Sequence, residues 1–205
     1  MSTAVQKFLT TRFLLVLLAA LTLSCAVAST SRAEITSTSE CYESVLSQHF
    51  LSFGDYNWYA QVAGQDDTGF TGEGWTLSNG AQVVSTTDTK GQPVQVLDLP
   101  SGAKAVSPTI CVTRDFPTGR MMVREVSGEQ DIVFYVSYAG TKTWTAPKNT
   151  DKFHGSGTAW ELSDPINLQP SSISGWQLVK FTVAAAGKNS RSQVYDFWVD
   201  PFARR

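Results

Sequence analysis

Three observations predict an all-β protein: a single antiparallel β-sandwich that follows a cleaved signal peptide. Apolar residues alternate with polar ones in short β-branched and aromatic runs, and Gly, Pro, Asn or Ser flank each run. The runs recur at the spacing typical of sandwiches and barrels, roughly ten of them. No stretch after Phe50 keeps helical period over the three turns a stable helix needs.

The elements follow in chain order. Lys7 and Arg12 precede the apolar run Phe13 to Leu23, and Ala26-Val27-Ala28 supplies the small-x-small pattern of a signal-peptidase site. That order marks residues 1–28 as a secretory signal, with a cut after Ala33 as the alternative. The run is too short for a permanent membrane span. Ser24-Cys25 resembles the end of a lipidation box, but Thr22 stands where such a box carries leucine. A cysteine discarded with the signal is favoured over a lipid anchor. Residues 29–40 are small, polar and aperiodic, and read as a flexible leader to a domain over 41–205.

Cys41 to Phe50 suits a short helical turn before the sheet begins. In PVQVLDLP, Val94, Val96 and Asp98 share one face and Gln95, Leu97 and Leu99 the other. Such mixed faces suit an edge strand or a crossing between sheets. Ile132, Phe134, Val136 and Tyr138 share a face, as do Val179, Phe181 and Val183. In the closing run Tyr195, Phe197 and Val199 alternate, with Val194, Asp196 and Trp198 opposite. Turn signals at Ser78-Asn79-Gly80, Pro117-Thr118-Gly119 and Ser127-Gly128-Glu129 are of the type that joins antiparallel strands.

Cysteine usage fits export. Once the signal is gone only Cys41 and Cys111 remain, an even count in an oxidising compartment, so one disulfide is expected. Removing residues 1–28 takes away Lys7 and Arg12 and no acid, leaving 14 basic and 18 acidic residues. A mildly acidic surface without charge clusters argues against nucleic acid or anionic lipid as partner. No further segment is apolar enough to span a membrane.

Catalytic chemistry finds little footing. His49 and His154 are the only histidines, and Gly155-Ser156-Gly157 lacks the frame of a nucleophile elbow. Asp66, Asp67, Glu73, Glu125 and Glu161 are candidates for a glycosidase carboxylate pair, a role that requires a particular separation. Asp66, Asp67, Asp196 and Asp200 are candidate ligands for a structural calcium, since a sandwich can set its first and last strands side by side. Turn-capping is their alternative role.

Six tryptophans are generous for this length. Aromatic faces stack on the C–H faces of sugars, which makes Tyr56, Trp58, Tyr138, Trp144 and Trp160 candidate ligand contacts. Trp75 and Trp198 are assigned to the core. Arg120 and Arg124, four apart on one strand face, are candidate ligand residues too.

Several stretches together carry a resemblance. They are Gly74-Trp75-Thr76-Leu77-Ser78-Asn79-Gly80-Ala81, Leu97-Asp98-Leu99-Pro100-Ser101-Gly102-Ala103, Ser107-Pro108 with Cys111-Val112, and Val199-Asp200-Pro201-Phe202-Ala203-Arg204-Arg205. The chain from Cys41 onward resembles a family of uncharacterised exported bacterial proteins, which is similar in turn to galactose-binding-like jelly rolls, the fold of many carbohydrate-binding modules. The resemblance implies a jelly roll, a structural calcium near the first and last strands, and a binding role. Gly64-Gln65-Asp66-Asp67-Thr68-Gly69-Phe70-Thr71 lacks the acid that follows the phenylalanine in such modules. The expectation is therefore a secreted module binding carbohydrate or cell-envelope polysaccharide. The alternative is a non-catalytic structural or protein-interaction domain at the cell surface, and an enzyme comes third.

Overall fold

The alternating runs become two facing sheets. The structure, a computed structural model, describes residues 34–41, 44–113, 118–129, 131–168 and 175–200. The expected signal sequence and cut sites, Cys25 and the closing Pro201 to Arg205 stretch lie outside the described residues.

Nine strands make the larger sheet: β1 (Ala60–Gln61), β2 (Gln65–Asp66), β3 (Gly69–Phe70), β5 (Gln82–Thr87), β6 (Pro93–Pro100), β9 (Thr118–Ser127), β12 (Glu161–Leu162), β13 (Ile166–Asn167) and β15 (Arg191–Asp200). Six make the other: β4 (Thr76–Ser78), β7 (Lys104–Val106), β8 (Ile110–Thr113), β10 (Asp131–Tyr138), β11 (Lys148–Phe153) and β14 (Trp176–Ala186). Every ladder is antiparallel except the single β3–β6 pair. β15 runs beside β9 over its length, with β6 and then β1 along its other edge. The first strand thus lies against the last, as the sequence suggested.

The core forms between the inner faces. Phe134, Phe181 and Phe197 meet with ring centroids 5.4 to 5.8 Å apart. Trp75 closes one side against Phe70 and Phe197, its indole N–H donating to the Ala63 carbonyl at 2.8 Å. Each such ring withdrawn from water stabilises the fold by roughly 1.5–3 kcal/mol. Ile132, Phe134, Val136 and Tyr138 face inward together, as do Val179, Phe181 and Val183.

Two expectations change. Val94, Val96, Leu97, Asp98 and Leu99 are all buried, because β6 lies inside the larger sheet, between β5 and β15, and not at an edge. In β15 the register shifts between Tyr195 and Trp198, with Asp196 at φ 59°. The bulge inverts the side-chain phase. Val194 faces the core with Phe197 and Val199, and Tyr195 turns to the outer face. Gln65 repairs the bulge: its amide accepts from Phe197 N and donates to Phe197 O, both at 2.8 Å.

Tight turns close hairpins between β2 and β3 and between β5 and β6, but not at Ser78-Asn79-Gly80 or Ser127-Gly128-Glu129. Ser78-Asn79-Gly80 joins β4 to β5, and the turns after β6, β9 and β14 likewise carry the chain from one sheet to the other. Cys41 and Cys111 form the disulfide, S–S 2.04 Å. Within the expected flexible leader, Thr38–Glu40 forms a 3-10 turn and Glu34 bonds Lys180 at 2.6 Å and Thr109 at 2.9 Å. The helical turn expected over 41–50 is displaced to Leu51–Phe53. Among the described residues no helix is long and apolar enough to cross a membrane.

Candidate functional site

Five large hydrophobic side chains lie exposed on the short segment before β1: Val45, Leu51, Phe53, Tyr56 and Trp58. The backbone beneath them is fastened. Ser47 and Tyr59 exchange backbone hydrogen bonds at 3.0 and 2.8 Å, and Gly54 ends the 3-10 turn at φ 79°. Phe50 and Tyr59 are fully buried with rings 5.4 Å apart. Asp55 Oδ2 accepts from the Tyr59 hydroxyl at 2.7 Å and lies 3.4 Å from Arg120 Nη1. Burial, then the neighbouring Asp55, pushes the Tyr59 phenol well above its ordinary value. His49 stacks on Trp198 at 4.1 Å, and its Nε2 lies 2.6 Å from Asp196 Oδ2. Gln48 donates to the Tyr56 carbonyl at 2.8 Å. Tyr56 and Trp58 remain 72% and 54% exposed above this framework.

A second cluster occupies the outer face of the larger sheet. Val94, Val96, Met122 and Tyr195 form a small apolar patch there, with Val84, Trp160 and Leu162 packed against it. Trp160 stands edge-on to Tyr195 at 4.7 Å and donates its indole N–H to the Thr87 carbonyl at 2.7 Å. The Arg124 guanidinium lies over the Trp160 ring, 4.5 Å from its centroid. Its Nε and Nη2 donate to Gln193 Oε1 at 3.0 and 2.7 Å, and Nη2 also reaches Thr86 Oγ1 at 2.6 Å. Gln193 donates onward to Asp98 at 3.0 Å, and Arg191 Nε donates to the same carboxylate oxygen at 2.6 Å.

The structure therefore brings Arg124 to Trp160, and ties Arg120 to the Tyr56–Trp58 segment through Asp55. Other candidates part company. Tyr138 is 8% exposed and belongs to the core, because it continues the inward face of β10. Trp144 sits apart, 37% exposed, with Lys180 Nζ 4.9 Å from its ring centroid. Asp66 caps its own turn, accepting from Thr68 N at 2.7 Å and Thr68 Oγ1 at 2.6 Å, which lowers its carboxyl below the ordinary range. Asp67 is exposed, Asp196 is engaged by His49 and by the Trp198 indole at 2.6 Å, and Asp200 is buried at the end of β15. No group of three or more His, Cys, Asp or Glu among the described residues is placed to hold a metal ion, so the four aspartates do not converge as a calcium site. Glu161 accepts from the Ser156 hydroxyl at 2.6 Å, and His154 lies 3.7 Å from Asp131.

Gln193, Tyr195 and Asp98 escaped the search for ligand residues. Gln193 and Tyr195 reach the outer face through pairings between strands distant in sequence, which no local pattern records.

The two sheets form an all-β sandwich similar in fold to solved carbohydrate-binding modules, while no family model and no curated protein matches the sequence. A Clostridium thermocellum xylanase comprising a family 22 carbohydrate-binding module and a catalytic module, complexed with xylohexaose, aligns at TM-score 0.49 and 9% identity over 71% of this chain and 28% of its own. The xylan-binding family 22 module of a Paenibacillus barcinonensis xylanase aligns at 0.42 and 14%, over 70% of this chain and 94% of its own. A Clostridium thermocellum family 11 module in complex with a β-1,3-1,4-mixed-linked tetrasaccharide aligns at 0.43 and 10%, over 72% and 96%. The likeness is one of strand arrangement.

Proposed function

We propose that the protein is an exported, non-catalytic module that binds carbohydrate, such as a cell-envelope polysaccharide, through Tyr56 and Trp58. The observation that carries this reading is the pairing of exposed rings with a clamped backbone. Leaving two aromatic faces in water forgoes hydrophobic stabilisation. A platform already ordered loses little entropy when a sugar ring stacks on it. Asn57 and Gln48 supply polar groups beside the rings for hydroxyl partners. Export is supported by the signal-like amino terminus and by the Cys41–Cys111 disulfide.

The exposure of Leu51 and Phe53, 48% and 50%, favours a second reading in which the same segment docks a protein at the cell surface. The mature, oxidised protein is tested against neutral glycans and envelope polysaccharides, with and without chelator. Trp58→Ala and Tyr56→Ala are each expected to weaken binding about tenfold, near the value of one stacked aromatic, with melting temperature unchanged. Binding that survives both substitutions sinks the platform. No binding across the panel transfers the segment to a protein partner.

A further inference from the structure

Partly buried charges in folded proteins are met by opposite charges. Two arginines on the outer face of the larger sheet follow that rule: Arg191 is paired with Asp98, and Arg120 with Asp55. Arg124 does not. Its acceptors are the neutral Gln193 and Thr86 and the face of Trp160, and among the described residues no carboxylate is paired with it. Burial holds its guanidinium below the ordinary value.

The surroundings are built and not incidental. Gln193 and Asp98 are 5% and 1% exposed, and they link the two guanidinium groups in one chain: Arg124, Gln193, Asp98, Arg191. Two cations and one anion leave this chain with a net charge of about +1, in a protein whose overall balance is acidic. Each guanidinium is fixed through its Nε, and Arg124 through Nη2 as well. That leaves Arg124 Nη1 and the Nη1–Nη2 end of Arg191 without partners among the described residues. A planar fork of N–H donors held in register matches the two oxygens of a carboxylate. Arg124 also lies on the same face of β9 as Arg120, four residues and about 13 Å along the strand, and Arg120 clasps the segment that presents Tyr56 and Trp58.

We propose that the Arg124–Gln193–Asp98–Arg191 row binds the carboxylate of an acidic saccharide, so that the ligand is a uronate-containing polysaccharide. This rests on the carbohydrate reading and adds a charge requirement to it. Trp160 lies against the Arg124 guanidinium, Gln193 holds its Nε and Nη2, and Asp98 holds Arg191 through Nε.

The test uses pairs of oligouronates that differ only in charge, each acid beside its methyl ester, with free glucuronate as the simplest probe. The acid is expected to bind about tenfold or more tightly than the ester, as a charge-assisted contact provides. That advantage should shrink as ionic strength rises and vanish in Arg124→Gln. Arg124→Lys, which keeps the charge and loses the guanidinium that Gln193 orients, is expected to retain only part of it. Should Arg124→Gln fail to fold because Trp160 loses its cover, the salt series on the unsubstituted protein and Arg124→Lys decide. Equal affinity for acid and ester, or an advantage that survives Arg124→Gln, overturns the carboxylate site and leaves the platform standing. Absence of binding to every acid, glucuronate included, overturns it as well. Neutral glycans that depend on Trp58 judge the platform separately, so the two failures are distinguishable.

Discussion

At the residue scale, Asp98 shows how much of this surface depends on single contacts. Its carboxylate is 1% exposed, and among the described residues Arg191 supplies its only cationic partner. Breaking a fully buried pair costs about 3–5 kcal/mol. Arg191 is itself 42% exposed, so Arg191→Ala is expected to cost less, about 2 kcal/mol. Adding Asp98→Asn to that variant should recover part of the loss, because the orphaned charge disappears. Urea unfolding of the two singles and the double checks this, and a double no more stable than Arg191→Ala would oppose it. The sequence flagged Asp98 as an oddity in an apolar run, but its partner lies 93 residues away. Tyr138 teaches the converse. The alternation that put it beside Phe134 and Val136 already described a core residue, and its aromatic character drew it into the ligand set.

At the element scale, local periodicity was legible and phase changes were not. β10 and β14 bury the faces their alternation specifies, whereas β15 changes phase at Asp196, a residue type that tolerates positive φ, inside a run of otherwise strand-forming residues. The bulge leaves the Phe197 N–H to the side chain of Gln65, 132 residues away, and its carbonyl to Gln65 and to the Val62 N–H at 3.1 Å. Gln65→Ala strands the Phe197 N–H, at a cost of about 1–3 kcal/mol, while the carbonyl keeps the Val62 N–H. Faster amide exchange at Phe197 in that variant locates the damage, and unchanged exchange would count against the repair. The tight turns show the same limit: Gly-rich signals fix where the chain bends, not which sheet receives it. Cysteine arithmetic succeeded because two thiols allow one pairing. The disulfide spans a sequence separation of 70, which corresponds to about 4 kcal/mol of restricted unfolded chain. Cys41→Ser with Cys111→Ser is expected to lower the unfolding free energy by up to that amount, and an unchanged denaturation midpoint would refute it.

At the scale of the whole molecule, the fold class was readable because a two-residue period survives any arrangement of strands, while the surfaces depend on which strands meet. Tyr56 and Trp58 were recognisable as aromatic, but their exposure follows from Phe50, Tyr59 and Arg120 fastening the segment beneath them. The same burial sets the pH range of the fold. Glu34 is held below the ordinary carboxylate value by Lys180 and Thr109, and Asp66 by Thr68. A carboxyl depressed in the folded state contributes stability above its unfolded value, and that contribution fades as pH falls through the folded one. Both acids are exposed, so the acid limb is shallow. The tyrosines act in the opposite sense. Burial, then Asp196, pushes Tyr195 from 10.0 up to about 12, and Tyr59 is raised as well. Between those values the unfolded chain releases phenolic protons that the folded chain keeps, so stability is full below pH 10 and falls as pH climbs through the folded values. Melting temperature is therefore expected to drop over pH 10 to 12 more steeply than over the acid range. Tyr195→Phe, compared with the parent at each pH, should flatten part of that fall and leave the acid limb unchanged. Lysine deprotonation affects both proteins equally, so the difference between them isolates the phenol. An alkaline limb as steep in Tyr195→Phe and in Tyr59→Phe as in the parent would mean that both phenols ionise as freely in the fold as out of it, and, for Tyr59, that the layer holding Tyr56 and Trp58 in place is open to water.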